Sequence, residues 1–198
     1  NNSIGCIVEL GSAAHRTFYI SGTGASRTIA YYSDYNTTDG IWAAPGTPIT
    51  AGKWYHVCVT NGEISGQVAG ASGGHPQPEP KFYINGAPTN TQVNRAPAGT
   101  IVDTTNTHTM GISLGAASDD AGTVDTDSFK GRLDEVSIWD KQLSANEIAE
   151  IFRSYPREGP NNLLDHSAVT NLIAWYRMGD SPGDDANTII FNAATSGS

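Results

Sequence analysis

Basic side chains are scarce: Lys and Arg together number 11 among 198 residues, against 20 Asp and Glu, for a formal net charge of −9. Binding to a phosphate backbone relies on clustered Lys and Arg, and no basic run exists here, so a nucleic-acid partner is excluded. Long apolar runs are missing too. No stretch reaches the roughly 18 residues of a membrane span. The opening NNSIGCIVEL lacks the charged and apolar regions of a signal peptide, but a mature or truncated chain would read the same way, so secretion stays open. Two cysteines, Cys6 and Cys58, do not make a disulfide scaffold, and Cys58 within KWYHVCVT reads as strand filling rather than as half of a Cys6–Cys58 bridge. His15, His56, His75, His108 and His166 show no zinc spacing, His56 reading as a packing residue that shares a strand face with Trp54 and Cys58. No P-loop, nucleophile elbow or dinucleotide fingerprint occurs.

What is abundant is the vocabulary of turns and short strands. The 22 Gly and 10 Pro, with many Thr, Ser and Asn, favour an all-β sandwich or barrel. Strand-like runs are IGCIVEL, RTFYI, RTIAYYS, KWYHVCVT, KFYING, TMGISLG and GRLDEVSIW, separated by Gly, Pro, Asn and Asp. NGEISGQVAGASGGHPQPEP is a long exposed loop, because its prolines exclude a central strand.

In FKGRLDEVSIWDKQLSANEI, Asp134 and Glu135 are neighbours on a two-residue repeat and so face opposite ways. They cannot converge on one bond as a glycosidase pair does. Asp134 shares a face with Val136 and Ile138 and belongs at the core margin, where its carboxylate needs backbone N–H groups or a Ca²⁺ ion. Ser144 with Glu147 is a capping box, and Ile148, Ile151, Phe152 and Tyr155 mark the apolar face of a helix that Pro156 stops.

GKWYHVCVT, KFYINGAPT and FKGRLDEVSIWDKQLSANEI, in that order and spanning about residues 5 to 155, resemble the laminin-G-like, concanavalin A-type jelly roll. The resemblance implies a two-sheet antiparallel sandwich with one short capping helix near 144–155. It implies a domain at 1–156 whose leading strands are missing, then 157–198 as a connector plus a strand that completes the sandwich or begins another module. Members of this family often hold a structural Ca²⁺ near an acidic residue matching Asp134; Asp119, Asp120, Asp125 and Asp127 of SDDAGTVDTD form a second oxygen-rich stretch, with a solvated acidic turn as the plainer alternative. Glucanases of the superfamily resemble E-x-D-x-x-E on a strand, and Arg132 stands where the first Glu should be, so no enzyme activity is expected. EIFRSYPREGPNNLLDHSAVTNLIAWYRMGD is similar to segments of laminin-G-like structural proteins of marine tailed phages.

Sandwich lectins stack sugar rings on aromatics, and AYYSDYNTTDGIW offers Tyr31, Tyr32, Tyr35 and Trp42. Tyr31 and Tyr32 must face opposite ways on a strand, so one of them is core. The expected function is a non-enzymatic virion surface module, as capsid decoration or tail fibre, contacting other virion proteins or copies of itself. The alternative is a secreted carbohydrate-binding or adhesion domain for cell-surface glycans. Either places the chain on a virion surface or outside a cell. Finally, NLIAWYRMGD reads as a paired strand that buries Ile173 and Trp175 and docks antiparallel on an open sheet edge or on a neighbouring copy.

Overall fold

A computed structural model describes residues 5–11, 16–46, 48–62, 79–101, 112–117, 128–154, 162–179, 184, 190 and 192–195. The chain divides into two compact units, Asn1–Ile84 with Pro88–Lys130 and Asn85–Ala87 with Gly131–Ser198. The expected domain boundary near 156 falls outside the described residues, and the division into compact units comes between Lys130 and Gly131.

The fold is the expected all-β antiparallel sandwich. Its larger sheet has six strands in the order β8-β4-β3-β2-β1-β9, built from β1 (Gly5–Leu10), β2 (Arg16–Ser21), β3 (Thr28–Ser33), β4 (Gly40–Ala43), β8 (Gln92–Arg95) and β9 (Ile112–Leu114). A second sheet takes β5 (Val57–Thr60), β6 (Lys81–Ile84) and the two-residue β7 (Ala87–Pro88).

Register sorts the side chains of the six-stranded sheet into rows. Val8, Phe18, Tyr31, Trp42 and Val93 are cross-strand partners, and so form one row on one face. This row belongs to the core: Trp42 is 0% exposed, its ring centroid lies 6.1 Å from that of Tyr31, and the Tyr31 hydroxyl accepts a 3.3 Å bond from Asn61 just after β5. The next row, Glu9, Thr17, Tyr32, Ile41 and Arg95, faces the other way. On that same face Tyr19, Ala30 and Ala43 make a buried cluster against which Tyr32 packs.

Two strands escape a reading by pattern. β4 has only four residues and starts with glycine, yet Gly40 is required: a Cβ there would lie 2.0 Å from the Trp42 ring. β8, Gln-Val-Asn-Arg, carries one apolar residue because it is a sheet edge. The expected strand KWYHVCVT is shorter than its pattern, starting at Val57, so Trp54 does not share a strand face with His56 and Cys58 but stands 59% exposed. Both cysteines are free thiols, so no Cys6–Cys58 bridge forms; burial pushes the Cys58 thiol up to about 12.

In the second unit β10 (Val136–Trp139) pairs antiparallel with β11 (Leu172–Tyr176). Helix α1 (Ala145–Ser154) opens with the expected box, Ser144 N–H donating to the Glu147 carboxylate at 2.8 Å and Glu147 N–H to the Ser144 hydroxyl at 3.3 Å. Ile148 and Ile151 are buried and Phe152 partly so, whereas Tyr155 and Pro156 lie outside the described residues. The turn at Asn85 and Gly86, with φ of 51° and 75°, packs on Phe152, where a Cβ on Gly86 would meet the ring at 2.8 Å. Buried His166 ties the next segment to the helix: its Nε2–H donates to the Glu147 carbonyl at 2.9 Å while Nδ1 accepts the Ala168 N–H at 3.0 Å.

The tail strand is paired and antiparallel as expected, but with β10 in a two-stranded sheet of its own rather than on an edge of the larger sheets, and Trp175 is buried at 2% exposure. Ile173, expected to be buried with it, is instead 49% exposed. Ala174 and Trp175 are the consecutive buried pair, beside a shift of register between Ile138 and Trp139.

Candidate functional site

The row Glu9, Thr17, Tyr32, Ile41 and Arg95, buried at Glu9 and exposed at Arg95, ends in a polar corner built by the β3–β4 hairpin and β8. Tyr32 occupies β3 facing outward, opposite Thr17 on one side and Ile41 on the other. Asp34 and Asp39 flank the hairpin loop, and their carboxylates are close enough to the Tyr32 hydroxyl to act on it by charge and hydrogen bonding. Burial first, and then these two carboxylates, raise the Tyr32 phenol far above its usual range, so it stays a neutral donor. Arg95 closes the corner from the edge strand. Its Nε donates to the Asp39 carbonyl at 2.8 Å, its Nη2 to the Asp39 carboxylate at 3.3 Å, and its guanidinium carbon lies 5.7 Å from the Tyr32 ring centroid.

The loop carrying these acids is held from below. Tyr35 N–H donates to the Asp39 carboxylate at 3.2 Å, and Thr38 and Ala98 exchange backbone bonds of 3.1 and 2.8 Å. Asn36 donates from its backbone to the Thr100 carbonyl at 3.0 Å and accepts the Thr100 N–H on its side chain at 2.9 Å. Gly99 permits this approach, since a Cβ there would lie 2.0 Å from Asn36 Oδ1. The corner is therefore preorganised, with the Asp39 carboxylate paired to the Arg95 guanidinium, Asp34 on the same hairpin and a partly buried ring beside them. It offers acceptors, N–H donors and an aromatic surface; the same bonds also fasten β8 to the hairpin.

Of the four aromatics expected as a stacking platform, Tyr31, Tyr35 and Trp42 are buried and only Tyr32 reaches the outer face. The correction follows from β4: once Gly40–Ala43 pairs with β3, Trp42 must share the inward face of Tyr31. Tyr35 is drawn in by its bridge to Ile101.

Asp134 also departs from its expected place. It is exposed, and its carboxylate accepts the Glu135 N–H at 2.9 Å, the backbone alternative among the two weighed for it. Glu135 has φ of 52°, so the strand begins only at Val136 and the alternation that put Asp134 beside Val136 and Ile138 does not hold. Glu135 is the residue drawn inward instead. Its carboxylate accepts the Trp175 indole N–H at 2.6 Å and Arg177 Nε at 3.3 Å, with the guanidinium 5.0 Å over the indole ring. Burial outweighs those bonds and raises its pKa. Among the described residues no three His, Cys, Asp or Glu side chains converge on a metal position. Asp119, Asp120, Asp125 and Asp127 lie outside the described residues.

The antiparallel sheets are those of a concanavalin A-like sandwich. The chain belongs to the concanavalin A-like lectin/glucanases superfamily, whose laminin-G family model matches residues 1–149. Neither the curated proteins nor the solved structures contain a match to it.

Proposed function

We propose that the chain is a binding module that performs no covalent chemistry, and that the Tyr32 corner is its contact point for a polyhydroxylated ligand, a glycan of a cell or particle surface. The observation carrying this reading is the convergence of Asp34, Asp39 and Arg95 on the partly buried Tyr32 ring. Sugar recognition uses a few fixed polar groups beside an aromatic surface, and here both are locked before a ligand arrives. Trp54, exposed on the approach to β5, supplies a second aromatic surface in the same unit.

A virion setting is favoured by one specific feature, the likeness of residues 150–180 to segments of phage structural proteins. In that setting the module decorates a capsid or tail fibre and meets other virion proteins or copies of itself. A glycan array run with and without Ca²⁺ tests the first reading: binding by the wild type that Arg95→Ala abolishes, with circular dichroism unchanged, supports it, whereas a silent array in both conditions defeats it. Turnover of β-glucans would overturn the non-catalytic part. Recovery only as free chain, never with particles, would remove the virion setting.

A further inference from the structure

Attack on an asparagine side chain by the backbone nitrogen of the next residue is easiest when that residue is glycine, which has no Cβ to hinder the approach. The chain has two Asn-Gly pairs, Asn61-Gly62 and Asn85-Gly86, and the fold treats them differently. Asn61 is half-buried just after β5, and its Nδ2 donates to the Tyr31 hydroxyl at 3.3 Å, so its amide is anchored to the aromatic row of the large sheet. Asn85 is exposed at the β6–β7 turn and holds φ of 51°, a left-handed conformation that costs an L-residue free energy. Beyond the turn β7 is two exposed residues, Ala87 and Pro88, and proline has no N–H with which to extend the ladder. A turn tied by so short a ladder opens at low free-energy cost.

We propose that Asn85 is a site of spontaneous deamidation, a slow covalent change that lengthens the β6–β7 turn and lifts it from Phe152, and that Asn61 is spared. The Gly86 nitrogen attacks Cγ of Asn85. The N–Cγ bond forms, the Cγ–Nδ2 bond breaks, and ammonia leaves with the proton of the Gly86 N–H. Water, the sole co-reactant, then opens the cyclic imide at either carbonyl and leaves aspartate or isoaspartate at position 85. Isoaspartate routes the backbone through the side-chain carbon and so adds a methylene to the turn, and both products add a negative charge to a chain already at −9. Gly86 lies so near Phe152 that a Cβ on it would meet the ring at 2.8 Å, so a lengthened turn cannot keep that contact. The same closeness requires glycine at 86, and with it the labile pair. The Tyr32 corner has no part in this chemistry, so the proposed binding function and this inference stand or fall separately.

Ageing of the intact folded chain at mildly alkaline pH tests it, read by peptide mapping with mass spectrometry and an isoaspartyl-specific methyltransferase. Conversion at 85 is expected to be about tenfold or more faster than at 61, the ratio following the difference in local opening. In concentrated urea, where neither site is folded, the two rates should draw together. Charge separation then isolates the isoaspartyl chain, and its Phe152 ring resonances are expected to move from those of the fresh chain. Equal rates at 61 and 85 in the folded chain overturn the proposal, as does a position 85 that converts only in urea. Unmoved Phe152 resonances in the isoaspartyl fraction overturn the release of the turn from the helix.

Discussion

Replacing Trp175 by alanine measures what binds β11 to the second unit. The side chain is 2% exposed, and its indole N–H is donated to Glu135 at 2.6 Å. Truncating a buried aromatic of this size costs about 3–5 kcal/mol from lost burial and the cavity left behind. The Glu135 carboxylate, half-buried and keeping only Arg177 of its two side-chain donors, adds about 1 kcal/mol. The sum, about 4–6 kcal/mol, corresponds to a fall in Tm of roughly 8–24 °C for a chain of this size. Trp175→Phe separates the contributions by keeping most of the apolar area and losing the N–H, and should cost about 1–2 kcal/mol. Trp54→Ala is the internal control: at 59% exposure it should cost about 0.5 kcal/mol or less. Urea unfolding followed by far-UV circular dichroism reads all three variants. If Trp175→Ala lies within about 1 kcal/mol of wild type, or no lower than Trp54→Ala, the tail strand contributes nothing and the pairing of β10 with β11 is wrongly described.

Other substitutions address single features. Ser144→Ala removes the hydroxyl half of the capping box and should lower the urea midpoint by an amount equivalent to about 1 kcal/mol with an unchanged slope. Gly86→Ala, at φ of 75° and against Phe152, should cost about 2 kcal/mol or more, part of it recovered by Phe152→Leu; a neutral Gly86→Ala would show that the turn does not dock there. Burial holds the His56 imidazole down to about 4, so the folded chain binds fewer protons than the unfolded one below about pH 6.5. The associated stability, on the order of 3 kcal/mol, is present above that pH and lost as pH falls toward 4, and His56→Gln should flatten the stability profile in this window. A profile unchanged by that substitution would mean the imidazole is solvated.

Much of the fold was legible because it rests on local rules. The helix start at Ser144 and Glu147, the turn at Asn85-Gly86 and the strand character of Leu172–Tyr176 each depend on a few adjacent residues. The site was harder to read, since its aromatics face in or out according to pairings that four-residue strands do not advertise. Gly-Ile-Trp-Ala looks like a loop until β3 and β8 flank it, and that pairing sends Trp42 inward. Tyr32 was legible as one of two alternating tyrosines, but Arg95, distant in sequence on a polar edge strand, was not. Glu135 was misplaced for another reason. A regular alternation assigns it outward, whereas its left-handed φ turns it toward Trp175 and Arg177, and only the bonds formed across 40 residues make that conformation worthwhile.

Whether the Tyr32 corner binds a ligand is answered most directly by backbone and side-chain NMR of the intact chain, titrated with the strongest glycan from an array. Shifts concentrated at Tyr32, Asp34, Asp39 and Arg95, and absent in Arg95→Ala, are the expected result. Shifts that leave these four residues untouched, whether confined to Trp54 or located elsewhere, would contradict the assignment of this corner as the contact point.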